Sequence, residues 1–397
     1  MVELDLEAIR VIAANELETW MRIKSANVMW AAFVYIVAFA PNSFHDRVQG
    51  QALTVTIINA EPRRDANGDI LDAHDGSLEF FDGQFFLYGT HYGDTDGLTD
   101  TNRYVCYSSK DLVHWKFQGA LLKDAPARIY YRPYVKFNPA TRKYVLWYNA
   151  DNRYGVATAD HPAGPFTIQN PDVEVKYSAQ GVGDFGLYVS DDGSGYIAYT
   201  ALNLAQMESS ASTRPEHHRI SIERLAPDYL SSTKENSGFI AGNVESPSLF
   251  KHKGIYYLLF DNTCAFCTSG SGARVYTARS VLGPYLYREN INLKGPKEDG
   301  TSWTSPGSGR INTIVDAQQT HVAEIPSASG RLFLWMGDRW GSTPDGIKGH
   351  DFQVWLPLEF GDHDVIRPLT KLSEWQVTLS LPAQGSKKQG EHTGDIQ

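Results

Sequence analysis

The sequence predicts an all-β chain folded as a five-bladed β-propeller. Aromatic-rich strands recur at residues 85–90, 144–149, 196–201, 256–261 and 332–337, at spacings of roughly 50 to 80 residues that are typical of propeller blades. No long stretch after residue 41 shows a sustained 3.6-residue apolar period, so few helices are expected. Five radially arranged units of about four strands would protect the sheet edges. A β-sandwich is the second architecture considered, but it would not explain the repeated unit.

Composition fits a globular β protein and excludes some partners. Of the 397 residues, 42% are hydrophobic and 12% aromatic, with 34 glycines and 19 prolines spread along the chain. The net charge of −10 argues against nucleic acid, because phosphate binding requires a basic face. The three cysteines, Cys106, Cys264 and Cys267, are too few for a disulfide framework or a four-thiolate zinc site. Cys264 and Cys267 could form a redox pair, but a local disulfide or two buried thiols is favoured.

The first 64 residues divide into three segments. Residues 1–20 form an acidic amphipathic stretch that we interpret as a gene-model extension ahead of a start at Met21. Residues 21–40 have a basic beginning, an apolar run and an Ala38-Phe39-Ala40 end, which is the pattern of a secretory signal peptide, with a buried helix as the alternative. Residues 41–64 are expected to be a linker. The propeller is predicted over 65–384 and a polar tail over 385–397.

Turn signals mark the units. Asp82-Gly83 separates two apolar runs and predicts a tight hairpin, because its backbone requires positive φ. Two units share a tail in which Thr-Ala is followed by Gly-Pro-aromatic, at 158–166 and again at 277–285. This repetition supports equivalent blades.

Three carboxylates stand near the heads of three predicted units. They are Asp75, Asp184 and Glu245. Innermost strands of a propeller converge on the central channel, so these side chains are expected to meet at one end of it. Two carboxyl groups across a small gap are what glycoside hydrolysis needs, and a third negative charge can hold the acid protonated. The alternative is that these residues only cap turns, as aspartate commonly does.

The motifs around these carboxylates resemble glycoside hydrolase family 43. They are Asp-x-Ser-Leu before an aromatic strand, Asp111-Leu-Val-His-Trp115, Asp184 followed by Asp-Gly-x-x-Tyr, and Glu245-Ser-Pro-Ser-Leu-Phe-Lys251. The resemblance covers about residues 65–382. It implies a five-bladed propeller and an inverting mechanism, with Asp75 as general base, Asp184 as pKa modulator and Glu245 as general acid.

The last unit is similar to the exo-β-1,3-galactanase-like branch of that family. The similarity lies in Asp316-Ala-Gln-Gln-Thr-His-Val322, Trp335-Met-Gly-Asp-Arg-Trp340 and Val354-Trp-Leu-Pro-Leu358. The branch often lacks the base aspartate and is thought to use a glutamine, which by motif is Gln318, so the base is either Asp75 or Gln318. Tyr131 departs from the branch, whose pattern has glutamate before Arg-Pro.

Six further residues are predicted to contact the sugar. They are His74, Tyr131, Arg132, Asp338, Arg339 and Trp340. Charged groups can hydrogen-bond hydroxyls, and aromatic rings stack on the apolar faces of sugars. The alternatives are a core position for Trp340 and an ion pair between Asp338 and Arg339.

The sequence therefore predicts a secreted, monomeric glycoside hydrolase that acts on terminal galactosyl or related residues of oligo- or polysaccharides. A furanosidase acting on galactofuranose or arabinofuranose, and an inactive glycan-binding propeller, are the alternatives. No nucleic-acid partner is expected, and no membrane association after signal removal. No metal or cofactor is required for the chemistry, although the channel of such a propeller could hold a structural cation such as calcium.

Overall fold

The computed structural model describes residues 51–203, 218–263, 266, 272–294 and 313–382. The segments 1–20, 21–40 and 385–397, as well as Cys264 and Cys267, lie outside these residues. The described residues contain 22 strands and two short 3-10 turns, and no α-helix. None of them forms a helix with the length and apolar character needed to cross a bilayer.

Each of the first four blades is an antiparallel sheet whose strands follow chain order from the innermost outward. Blade one is β2 (His74–Phe81), β3 (Gln84–His91), β4 (Arg103–Ser109) and β5 (Trp115–Ala120). Blade two is β6 (Tyr130–Asn138), β7 (Lys143–Ala150), β8 (Arg153–Ala159) and β9 (Thr167–Val173). Blade three is β10 (Val182–Val189), β11 (Gly195–Leu202), β12 (His218–Leu225) and β13 (Ser232–Asn236), with β14 (Ala241–Gly242) also on β12. Blade four is β15 (Val244–His252), β16 (Ile255–Asn262), β17 (Arg274–Ala278) and β18 (Leu286–Asn290).

The fifth sheet is built from both ends of the described chain. It contains β19 (Gln318–Ser327), β20 (Gly330–Arg339) and β21 (Phe352–Pro357), together with β22 (Glu374–Leu381) and β1 (Gln51–Ile58). The inner strands contact one another in the cycle β2, β6, β10, β15, β19 and back to β2. The predicted five-bladed propeller is therefore confirmed.

All five aromatic strands predicted from the sequence are second strands of blades. Asp82 and Gly83, in the blade-one hairpin, have φ values of 48° and 82°, as the Asp-Gly turn signal required. The two Gly-Pro tails follow the third strands of blades two and four, and in both the Gly-Pro peptide is cis. The repeated unit read from the sequence thus corresponds to the blade.

Apolar side chains form five clusters, one at each junction between neighbouring blades. The cluster between blades one and five contains two edge-to-face tryptophans, Trp115 and Trp355, whose ring centroids are 5.9 Å apart. Cys106 is a buried free thiol in the cluster between blades one and two. The core is therefore distributed around the ring, and the polar inner end of each blade faces the centre.

The predicted linker at 41–64 is corrected by β1. This strand pairs along its whole length with β22, from Gln51 opposite Leu381 to Ile58 opposite Glu374. Ile57 on β1 and Leu379 on β22 are buried in the cluster that joins blades one and five. The two-stranded ribbon therefore closes the ring. The sequence analysis missed it because the partner strand lies more than 300 residues away.

Ile57→Ala should lower the free energy of unfolding by about 2–5 kcal/mol, because the side chain is 2% exposed and its removal leaves a cavity. Its neighbour Ile58 is 42% exposed and is the matched control, with an expected cost below about 1 kcal/mol. Urea denaturation followed by tryptophan fluorescence measures both. Equal effects of the two substitutions would show that β1 is not part of the cooperative core.

Candidate active site

The inner strand of every blade carries a β-bulge near its beginning. The pairing register of the inner strand with its neighbour shifts after His74, Tyr131, Val182, Glu245 and Gln319. A bulge adds one residue to a strand and redirects the adjacent side chains. Five bulges at the same level therefore surround one end of the channel with polar side chains.

Three of the bulges place a non-glycine residue in left-handed backbone. The φ values are 57° at Asp75, 58° at Arg132 and 57° at Ser246. In blade one the bulge is completed by Gly76, where an added Cβ would lie 1.7 Å from the carbonyl oxygen of Tyr88. Such backbone persists only where neighbouring contacts fix it, and it is concentrated at functional sites.

The three predicted catalytic carboxylates lie at this level, but not at one register position. Asp75 is the first residue inside its bulge, Asp184 the second residue inside its own, and Glu245 the last paired residue before a bulge. The expectation of equivalent positions is therefore corrected by one or two residues. It failed because the bulges change the count along each strand.

The charges of the three carboxylates all act on one residue, Tyr131. Burial raises the pKa of the Tyr131 hydroxyl well above its usual value, and the charges of Asp184, Asp75 and Glu245 all add to this shift. The pKa of one phenol on blade two is thus affected by carboxylates from blades one, three and four. The three carboxylates are therefore candidates to act on one sugar ring.

Arg132 contacts all five blades. Its Nε lies 2.9 Å from Asp184 Oδ1, and its Nη2 donates to Asp184 Oδ2 at 3.1 Å and to Ser246 Oγ at 3.0 Å. Its Nη1 donates to the carbonyl oxygen of Thr320 at 3.2 Å, and its backbone N–H to Thr90 Oγ1 at 3.2 Å. With 1% of its surface exposed, Arg132 supports the site from behind and does not have the sugar-contact role expected from the sequence.

Asp75 is held at two points. Its backbone N–H donates to Asp338 Oδ2 at 2.7 Å, and its Oδ2 accepts from the Tyr92 hydroxyl at 2.6 Å. Burial raises the pKa of Asp75 to about 6; Asp338 and Asp184 add to the rise, while Arg132 and the Tyr92 hydrogen bond oppose it. A carboxylate with that pKa is ionised near neutral pH and basic enough to take a proton from water.

His74 and Asp338 form a buried pair and are not the predicted sugar contacts. His74 Nδ1 lies 3.1 Å from Asp338 Oδ1, and its Nε2 lies 3.3 Å from the carbonyl oxygen of Gly349. Burial opposes the charged imidazole, but the charge and hydrogen bond of Asp338 outweigh it and raise the pKa of His74 to about 9. The histidine is therefore cationic and compensates the carboxylate that supports Asp75.

Glu245 lies at the blade-four bulge and is 8% exposed. His218 Nε2 lies 4.0 Å from Glu245 Oε2, and Asp261 is its partner across the strand pair. Burial, with the charge of Glu245 adding to it, raises the pKa of Asp261 well above its usual value, while a 2.7 Å hydrogen bond from the Gln319 backbone opposes the shift. The neutral form of Asp261 is thus favoured in the strand pair that carries Glu245.

Gln318 uses both ends of its side-chain amide within the protein. Its Oε1 accepts from Trp340 Nε1 at 2.7 Å, and its Nε2 donates to Ser246 Oγ at 2.9 Å. The same Ser246 hydroxyl donates to Asp184 Oδ2 at 2.7 Å. Gln318 is 2% exposed and therefore connects the wall of the site to the Asp184 network.

Trp340 forms part of an aromatic wall beside Asp75 and is 3% exposed. Its ring lies 5.4 Å from His74, 5.7 Å from Tyr92 and 5.0 Å from Phe266. The Lys348 ammonium lies 4.9 Å from its ring centroid. These neighbours surround the ring, and Trp340 belongs to none of the five core clusters between the blades. Its contact with a sugar stays a prediction.

The two remaining predicted contacts differ from each other. Tyr131 is half-buried, and its hydroxyl donates to Asn152 Oδ1 at 2.7 Å beside the three carboxylates. The Arg339 guanidinium lies 5.6 Å from the ring centre of Phe352, and the ion pair made by Asp338 is with His74 instead. Tyr131 thus stays a candidate sugar contact, whereas among the residues that the structure describes no contact joins Arg339 to the three carboxylates.

Four residues of the site were not predicted from the sequence. Tyr92, Ser246, His218 and Asp261 all contact or flank the carboxylates. Only Ser246 carried a signal, as the neighbour of Glu245 in Glu-Ser-Pro. Among the described residues, no group of three or more histidine, cysteine or acidic side chains is arranged to hold a metal ion.

Sequence comparison identifies relatives of this site. The model of the Glycosyl hydrolases family 43 matches residues 70–327. An arabinoxylan arabinofuranohydrolase of Bacillus subtilis (strain 168) is 24% identical over 237 residues, covering 51% of this chain and 44% of that one. A β-D-galactofuranosidase of Aspergillus niger is 24% identical over 253 residues, covering 57% and 67%. The match thus spans less than half of the Bacillus relative.

Solved structures share the propeller. An exo-β-1,3-galactanase of Clostridium thermocellum superposes with a TM-score of 0.66 and 23% identity, covering 82% of this chain and 68% of that one. A family 43 β-1,3-galactosidase with galactodeoxynojirimycin gives 0.62 and 23%, covering 80% and 99%. At these identities the likeness establishes the fold and not the substrate. Since the family match covers more than half of the 397 residues, the chain belongs to glycosyl hydrolase family 43.

Proposed function

We propose that the protein is an active glycoside hydrolase that removes terminal sugars from oligo- or polysaccharides with inversion at the anomeric carbon. The observation that carries this proposal is the placement of Asp75, Asp184 and Glu245 at the bulges of three inner strands, where Arg132 bonds both Asp184 and Ser246, the residue after Glu245. Glycoside hydrolysis requires an acid and a base on opposite sides of one sugar ring. Family membership supports the same reaction class.

In the proposed mechanism Glu245 donates its proton to the glycosidic oxygen as the bond from that oxygen to the anomeric carbon breaks. Asp75 accepts a proton from the water molecule that attacks the opposite face of the same carbon. Asp184, fixed by Arg132 and Ser246, supplies a stationary negative charge near the developing positive charge of the ring. Each turnover releases the sugar with inverted configuration. Asp75 then passes its proton to solvent and Glu245 takes one up from solvent, which restores both groups.

Asp75 is the better candidate for the base than Gln318. No described residue hydrogen-bonds Asp75 Oδ1, whereas the amide oxygen of Gln318 already accepts from Trp340. A primary amide is also a far weaker base than a carboxylate with a pKa of about 6. We therefore assign Gln318 to positioning Ser246 and Trp340.

The substrate class is proposed as a galactosyl or related terminal residue, with a furanoside as the second candidate. The structural neighbours named above act on β-1,3-linked galactose, which supports the first. Tyr131 favours the second, because it places a neutral phenol where the galactanase-like pattern has a carboxylate. Both relatives found by sequence are named as enzymes of furanosides. A glycan-binding propeller without activity would not need the buried acid and base.

A panel of aryl glycosides, covering galactopyranosides, galactofuranosides and arabinofuranosides, tests the proposed activity, with the anomer of the first product read by NMR. We expect hydrolysis of at least one member, and a loss of about 10²–10⁴-fold in kcat/KM for Glu245→Gln on a poor leaving group. The loss should be much smaller on a dinitrophenyl glycoside, whose leaving group needs no proton.

The matched control is Glu324→Gln, an exposed glutamate at the far end of β19. It should retain wild-type rates on every substrate of the panel. Equal losses of Glu245→Gln on good and poor leaving groups would contradict its role as the acid, and a retained anomer would contradict the inverting mechanism.

The pH dependence tests Asp75. A general base works only when ionised, so kcat/KM should fall about tenfold per pH unit below the pKa of about 6 and level off above it until Glu245 loses the proton that it must donate. Asp75→Asn should lose about 10²–10⁴-fold and lack this acidic limb. Asp82→Asn, in the exposed hairpin at the other end of β2, is the control. A large loss of kcat/KM in Gln318→Ala, together with almost no loss in Asp75→Asn, would show that Gln318 and not Asp75 acts as the base.

Export is also proposed, and it rests on the signal-like pattern of residues 21–40. Protein recovered from the medium of an expressing cell should begin near Pro41 when its N-terminus is sequenced. Recovery only from cell lysate, with Met1 or Met21 intact, would contradict secretion.

A further inference from the structure

Tyr92 is the residue outside the predicted site that contacts a candidate catalytic group most directly. Its hydroxyl donates to Asp75 Oδ2 at 2.6 Å, and the side chain is 1% exposed. Burial, followed by the charge of Asp75, raises the pKa of Tyr92 well above its usual value. The phenol therefore stays protonated and acts as a hydrogen-bond donor throughout the working pH range.

The position of the phenol is fixed from several sides. Asp72 Oδ1 accepts the backbone N–H of Tyr92 at 3.0 Å, and Asp72 Oδ2 accepts that of Gly93 at 2.7 Å. The ring lies 5.7 Å from Trp340 and 6.2 Å from Phe266. A donor so restrained loses little conformational freedom when it binds a carboxylate, so its hydrogen bond can select one orientation of that group.

The carboxylate is restrained to match. The backbone of Asp75, at φ 57°, is held by its N–H bond to Asp338, and Tyr92 holds Oδ2. None of the residues the structure describes hydrogen-bonds Oδ1. With one oxygen bound and the backbone fixed, the second oxygen keeps one direction and one free lone-pair set for a water molecule.

We propose that Tyr92 is a positioning residue for the general base: its hydroxyl fixes Oδ2 of Asp75, so that Oδ1 alone takes the proton from the attacking water. This proposal deepens the proposed function and rests on it. Tyr92 does not exchange a proton, because its O–H remains the donor before and after the transfer.

The charged groups around Asp75 allow the effect to be predicted. Among the described residues these are Arg132 on β6, Asp184 on β10, Asp338 on β20, the cationic His74 on β2 and Lys348 after β20. All stay in place when only the Tyr92 hydroxyl is removed. Losing a hydrogen bond to the charged form makes the carboxylate easier to protonate.

Tyr92→Phe should therefore shift the acidic limb of kcat/KM to higher pH by roughly one unit. The rate should fall about tenfold or more at pH 5 and by a smaller factor on the alkaline plateau, where Asp75 is ionised in both proteins. The matched control is Tyr88→Phe on β3, which also removes a buried phenol O–H, in this case one that donates to the carbonyl oxygen of Pro162 at 2.8 Å. The acidic limb of kcat/KM in Tyr88→Phe should stay at the wild-type pH.

A uniform loss at all pH values, with the acidic limb of kcat/KM unmoved or moved to lower pH, would overturn the proposal and leave Tyr92 as a packing residue.

A second readout does not depend on turnover. The proton uptake of each protein is compared with that of its Asp75→Asn counterpart, which isolates the titration of Asp75. Its midpoint should be higher in Tyr92→Phe than in wild type and unchanged in Tyr88→Phe. A shifted midpoint in a protein without hydrolytic activity would support the hydrogen bond from Tyr92 to Asp75 and refute the proposed function. An unshifted midpoint in an active enzyme would support the proposed function and refute the role of Tyr92.

Discussion

The guanidinium of Arg132 is the interaction on which the rest of the site depends. A propeller brings five inner strands to one axis, and their polar ends must be satisfied away from water. Arg132 does this with one side chain and its own backbone N–H, reaching Asp184, Ser246, Thr320 and Thr90 on the four other blades. A planar group with five donors suits this task, whereas lysine offers a single point of charge. Removing it would take from the partly buried Asp184 the guanidinium with which it is paired.

The arrangement of charge follows from the same constraint. Asp75, Asp261 and Asp338 are each at most 5% exposed near the channel end. They are accommodated in three ways. Asp338 is paired with a cationic His74, burial raises the pKa of Asp261 well above its usual value, and Asp75 has a pKa of about 6. The three aspartates thus differ in their ion pairing and in their pKa, because burial and neighbouring charge differ at each position.

The site also separates groups that support from groups that face a substrate. His74, Arg132, Asp338, Trp340 and Gln318 are buried and bonded to the protein, and they surround Asp75 and Asp184. Tyr131 is half-buried beside all three carboxylates and is the phenol whose identity departs from the galactanase-like pattern. Substrate selection within a shared fold is therefore expected to depend on Tyr131 more than on the supports.

The sequence by itself determined the blade as the repeated unit, the hairpins and the three carboxylates, because strand alternation, Asp-Gly turns and acidic strand heads are local patterns. It also identified Gln318, His74, Arg132, Asp338 and Trp340 as residues of the site, but not the contacts that each of them makes. Only the tertiary structure decided that His74 pairs with Asp338, that Tyr92 reaches Asp75 and that β1 closes the ring with β22. These contacts join residues up to about 330 positions apart or cross a bulge that shifts the register, and neither distance in space nor bulge position is encoded in a local pattern.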